Sequence, residues 1–104
     1  MNYLAVEDAK RMREEGSLEI IDIRDAYELE ICTINGTHIP MTEIFNRTNE
    51  LSKDKAIAIM CRSGKRAEAV TNALIVEHGF ENIYVLEGGI LNWIEKLEPT
   101  LEVY

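Results

Sequence analysis

The stretch Cys61-Arg62-Ser63-Gly64-Lys65-Arg66 sets one thiol among three cations and a glycine. A thiol attacks only as its thiolate, and an unperturbed cysteine is mostly protonated at neutral pH. Three features of this stretch favour the ionised form. Cys61 precedes a predicted helix, whose first N–H groups and dipole attract negative charge. Ser63 and Gly64 permit a tight turn in which successive amides face one centre. Arg62, Lys65 and Arg66 add full positive charges. The pattern predicts an active-site loop that presents Cys61 as a nucleophile to a small anionic substrate. A buried, inert cysteine beside a solvated basic turn would explain the thiol taken alone. It does not explain strand, cysteine, glycine turn, three cations and helix in succession.

The rest of the composition narrows the classes. At 104 residues the chain has the length of one domain and can bury a real core. With 46% hydrophobic and 29% charged residues it has the make-up of an ordinary globular protein. No apolar run approaches the roughly 20 residues that a bilayer span needs. Met1 to Asp8 lacks a basic region followed by an apolar stretch, so no signal peptide is predicted and a cytoplasmic location is expected. A net charge of -8 argues against nucleic acid and anionic membranes as partners. In such an acidic chain, three cations within five positions beside a thiol point to a local use. The two cysteines, Cys32 and Cys61, do not form a Cys-x-x-Cys pair, and with His38 and His78 they show no zinc-ligand spacing. No metal site is predicted, and each cysteine is expected to be a free thiol.

The elements that must position the loop alternate between strand and helix. Val6 to Glu15 has Val6, Ala9 and Met12 at helical spacing, with Gly16 as a stop. Leu18 to Ile23 is a β-branched run ending near Asp22 and Arg24, as in a buried strand that leads into a loop. Asp25 to Leu29 reads as one helical turn, and Thr37 to Pro40 as a short extended piece. Thr42 and Glu43 begin a small helix through Ile44 and Phe45. Lys55 to Met60 is a second strand running straight into Cys61. Arg66 to His78 follows as a helix with Ala67, Val70, Ala73, Leu74 and Glu77 near one face. Ile83 to Leu86 is a third strand, Gly88-Gly89 a break, and Ile90 to Leu97 a last helix before Pro99. This alternation predicts an α/β fold, a parallel sheet covered on both faces. Ligands of such sheets bind beyond the carboxyl ends of the strands, where Cys61 falls.

At the loop the sequence resembles the rhodanese family, whose motif is close to Cys-Arg-x-Gly-x-Arg. The resemblance extends over nearly the whole chain, 1–104, which it marks as a single rhodanese-like domain. Ile21-Asp22-Ile23-Arg24-Asp25-Ala26-Tyr27-Glu28 resembles the family's first signature, and Val85 to Trp93, with its Gly88-Gly89 pair, resembles the C-terminal one. The resemblance implies a three-layer fold with a mostly parallel sheet of about five strands between helices. It also implies sulfur transfer. Cys61 would take a sulfane sulfur from thiosulfate or another small anionic donor and hold it as a persulfide. It would then pass the sulfur to cyanide, a thiol or a protein thiol, without a metal or organic cofactor. The amides from Arg62 to Arg66 would cradle the persulfide, and Arg62, Lys65 and Arg66 would attract the donor. The segment Ile31 to Pro40 departs from the usual Gly-His-Ile version, with Cys32-Thr33 in place of Gly-His. This version is similar to rhodanese domains fused to enzymes that activate sulfur-carrier proteins, which hints at a protein acceptor.

Several other residues have plainer readings. Asp22 and Arg24 are expected to brace the active loop through hydrogen bonds. Cys32 reads as a small buried residue rather than a resolving thiol. His38 reads as structural, His78 as a favourable charge at a helix end, and Trp93 as core. Two rival functions fit parts of the pattern. A cysteine phosphatase or arsenate reductase would need five residues between cysteine and arginine, which puts Ala67 where the arginine belongs. A non-catalytic binding module would have less use for the thiol and its full cation set. Nothing in the sequence bears on oligomeric state.

Overall fold

The β-branched runs form the centre of the molecule in the computed structural model, which describes residues 1–104. Five strands, Tyr3–Leu4 (β1), Leu18–Asp22 (β2), Thr37–His38 (β3), Ala56–Met60 (β4) and Ile83–Leu86 (β5), make one sheet. Its order is β1-β5-β4-β2-β3 and every pairing is parallel. Ile59 of β4 lies opposite Ile21 on one side and Val85 on the other. All strands therefore end on one edge, and Cys61 follows directly from the central strand there.

Successive strand residues point to opposite faces, and the buried residues divide accordingly. Ile21, Ile57, Ile59, Cys61 and Val85 pack with Ala67, Val70 and Leu74 of the helix Lys65–His78. Ile20, Ala58, Met60 and Leu86 pack on the other face with Val6 and Ala9 of the helix Val6–Glu14 and with Ile90, Trp93 and Ile94 of the helix Gly89–Leu97. In chain order the helices are α1 (Val6–Glu14), α2 (Ala26–Ile31), α3 (Lys65–His78) and α4 (Gly89–Leu97). The result is the three-layer α/β arrangement expected from the alternation. No helix is long and apolar enough to cross a membrane.

The structure differs from the sequence reading in detail. The two-residue strand β1 was not anticipated. It exists because Tyr3 and Leu4 extend the sheet beside Val85 and Leu86. α2 runs two residues further than the single turn expected over Asp25 to Leu29. The small helix placed from Thr42 through Phe45 is instead a pair of 3-10 turns, Ile44–Asn46 and Thr48–Glu50. On α3 the buried positions are Ala67, Val70, Thr71 and Leu74, the i, i+3, i+4, i+7 stripe of one helix face. Glu77 was placed on that face but is exposed in the final turn.

Candidate active site

The chain from Met60 into α3 wraps around one sulfur atom. Gly64 takes φ +106°, a left-handed conformation that a side chain would strain, and so lets the chain turn back over Cys61. Its N–H lies 3.1 Å from Cys61 Sγ, and the Ala67 N–H, in the first turn of α3, lies 3.4 Å away. Both amides donate to the sulfur, and the start of a 14-residue helix faces it. Cys61 is only 1% exposed. The turn and helix start thus aim two amides at the thiol itself.

The loop is also held from behind. The first amides of α4 reach it: Ile90 N–H donates to the Cys61 carbonyl at 2.9 Å and Leu91 N–H to the Arg62 carbonyl at 3.2 Å. Gly89 makes this approach possible. A Cβ there would stand 2.5 Å from both carbonyl oxygens, and its φ is +62°. Gly89→Ala is expected to cost about 2–4 kcal/mol through overpacking and backbone strain. Urea titration would read this as a lower midpoint with an unchanged slope.

The three loop cations part company. Lys65 is exposed, at the rim of a cavity of about 360 Å3 that Tyr3, Ser63, Gly64 and Glu68 also line. Arg66 forms a two-pronged ion pair with Glu28 of α2, at 2.8 and 2.9 Å. Arg62 lies over the ring of Tyr104, with its guanidinium carbon 5.0 Å from the ring centroid, and donates to the Tyr104 carbonyl. Of the three cations that the resemblance sets to attract the donor, Arg66 is paired with a carboxylate 38 positions away, Arg62 is bonded to Tyr104, and only Lys65 is free of a protein partner.

Glu28 is the hub that sequence reasoning missed. Its carboxylate accepts from Arg66, from the Asp25 N–H at 2.9 Å and from the Tyr104 hydroxyl at 2.8 Å. The bond from Arg66 is the main reason that its pKa lies well below the ordinary carboxylate value of 4.5, at about 2. The folded state thus prefers the charged form. The resulting stability is fully present above the unfolded pKa and is lost as pH falls toward about 2. Replacing Glu28 by Gln is expected to remove on the order of 2 kcal/mol at neutral pH. Chemical denaturation as a function of pH checks this: the gap between wild type and variant should close on acidification.

Asp22 and Arg24 are both completely buried, and their charges meet at 2.8 Å. Arg24 also donates to the Cys32 carbonyl at 2.9 Å and to the Tyr104 hydroxyl at 3.0 Å. Burial disfavours its charge, but the bonds to Asp22 and Tyr104 outweigh that effect and raise its pKa above the usual value. The pair makes no side-chain hydrogen bond to the active loop, contrary to the expectation that it braces that loop directly. It braces the segment that carries Glu28, and through Tyr104 and Glu28 it reaches Arg66. His38 is structural: its Nε2 donates to the Arg24 carbonyl at 2.7 Å. Cys32 packs on the opposite face of the sheet from Cys61, and both are free thiols. His78 stacks on Phe45, and Trp93 is fully buried.

A five-stranded parallel sheet with this loop at the end of its central strand is the rhodanese arrangement, and the comparisons agree. The family described as Rhodanese-like domain matches residues 5–96, so the chain belongs to the rhodanese-like domain family. Among curated proteins it is 34% identical over 102 residues to the tRNA uridine(34) hydroxylase of Acaryochloris marina, covering 91% of this chain. The chain spans only 33% of that relative's length. Among solved structures, a rhodanese-related protein from Thermoplasma volcanium is 28% identical with a TM-score of 0.81, covering 95% of this chain and 96% of that one. The human single domain sulfurtransferase TSTD1 shares the fold, at 22% identity and a TM-score of 0.75, over 92% of this chain and 97% of that one.

Proposed function

We propose that this chain is a sulfurtransferase that carries a sulfane sulfur on Cys61. One observation carries the reading: a lone thiol, closed in by two backbone amides at the start of α3, at the end of the central strand of a rhodanese fold. The Cys61 thiolate attacks the outer sulfur of thiosulfate. The donor's S–S bond breaks, its electron pair leaves with sulfite, and Cys61 becomes a persulfide. An acceptor nucleophile, cyanide or a thiol, then takes the outer sulfur and returns the thiolate. Negative charge moves between thiolate, persulfide and leaving group, and fixed amides that face this charge need no reorganisation as it moves. No step calls for a metal or an organic cofactor. The acceptor in the cell is proposed to be a thiol, small or on a sulfur-carrier protein.

The hydroxylase name belongs to proteins of which this chain spans a third, and the proposal stays with the sulfur step. A phosphatase reading is disfavoured because Ala67 stands where its loop arginine belongs, and Arg66 is bound to Glu28. Incubation with thiosulfate and cyanide should yield thiocyanate with wild type. p-Nitrophenyl phosphate should not turn over. Phosphate release without thiocyanate would reverse the assignment.

A further inference from the structure

Tyr104 holds one loop arginine directly and reaches the other through Glu28. Its ring lies under the Arg62 guanidinium and its carbonyl accepts from Arg62. Its hydroxyl donates to Glu28, the carboxylate that holds Arg66, and accepts from the buried Arg24. Burial is the main reason that the phenol titrates only at about 12, so at neutral pH it stays a donor to Glu28. With Arg66 paired to Glu28 and Arg62 capped, Lys65 is the one loop cation without a protein partner.

That inventory bears on the choice of donor. Thiosulfate arrives as a dianion and leaves as sulfite, also a dianion. A low-molecular-weight persulfide brings one negative charge or none at its sulfur end. When the donor is protonated on its outer sulfur, the Cys61 thiolate takes that sulfur, the donor's S–S bond breaks, and its electron pair leaves on an ordinary thiolate. The proton travels with the transferred sulfur. Total charge is the same on both sides, and no oxidant or reductant is needed. Such a donor asks little of the loop cations. We propose that Tyr104 is a specificity-determining residue: by capping Arg62 it biases the site toward persulfide donors and against dianionic thiosulfate. The inference rests on the sulfurtransferase reading and names the donor class for it.

The test compares glutathione persulfide with thiosulfate as sulfur source for the intact chain, following kcat/KM for each. Wild type should favour the persulfide. Tyr104→Ala removes the ring beneath Arg62 and should shift the ratio toward thiosulfate by about two- to five-fold, the size of a lost cation–π contact. The shift should appear as a lower KM for thiosulfate. Tyr104→Phe keeps the ring beneath Arg62 and should keep the wild-type ratio. Adding Arg62→Gln to Tyr104→Ala should cancel the shift, which a merely structural loss would not do. A wild type that prefers thiosulfate would overturn the inference, even if the alanine variant fails to fold. So would a ratio unmoved in Tyr104→Ala. If neither donor places sulfur on Cys61, the sulfurtransferase reading itself falls and this inference falls with it.

Discussion

Cys61→Ser is expected to abolish sulfur transfer, with kcat/KM falling at least about a thousand-fold, while the fold is kept. A serine hydroxyl fits the space of the thiol and leaves the Gly64 and Ala67 amides in place. What it lacks is chemistry. An alcohol is scarcely ionised at neutral pH, and it cannot form the sulfur–sulfur bond on which the cycle depends. Thiocyanate formation should drop to the uncatalysed rate, while the urea midpoint stays within the small range of an isosteric change. A serine variant that retained a substantial share of the rate would place the nucleophile elsewhere.

The second large effect concerns the buried pair behind the site. Asp22→Ala would leave the Arg24 guanidinium, 0% exposed, without its countercharge. Removing one partner of a buried ion pair typically costs about 3–5 kcal/mol, because the remaining charge stays desolvated and unpaired. In a domain of this size that is a large part of the total stability. The remaining acceptors, the Glu28 and Cys32 carbonyls, the Cys32 sulfur and the Tyr104 hydroxyl, are neutral and offset little of it. Thermal and urea unfolding should both show the loss. The variant's remaining activity should fall as well, since Arg24 anchors the segment bearing Glu28.

Much of this was legible from residue order, for physical reasons. The run Ala56 to Met60 is apolar on both faces and can only be a central strand. The residue after it therefore had to emerge at the carboxyl edge of the sheet. Gly64 then marked a turn before a helix. Those local facts place Cys61 in its nest without any long-range information. The same reasoning could not decide where the cations point. Arg66 pairs with Glu28 across 38 positions, and Tyr104 meets Arg24 across 80. Neither pairing leaves a periodic trace. Glu28 was visible only as the acidic residue of a signature, and nothing in the sequence near Tyr104 marks it. β1 escaped for a related reason: two residues are too few to show alternation, and β5 alone gives them a place.

The central claim is that Cys61 carries sulfur covalently. Intact-mass analysis of the protein after mixing with a sulfane donor, and after the excess donor is removed, tests it most directly. The account predicts that wild type gains the mass of one sulfur atom, that cyanide removes it, and that Cys61→Ser never acquires it. A wild-type protein left unmodified by both thiosulfate and a persulfide, or one that takes up sulfur on Cys32 instead, would contradict it.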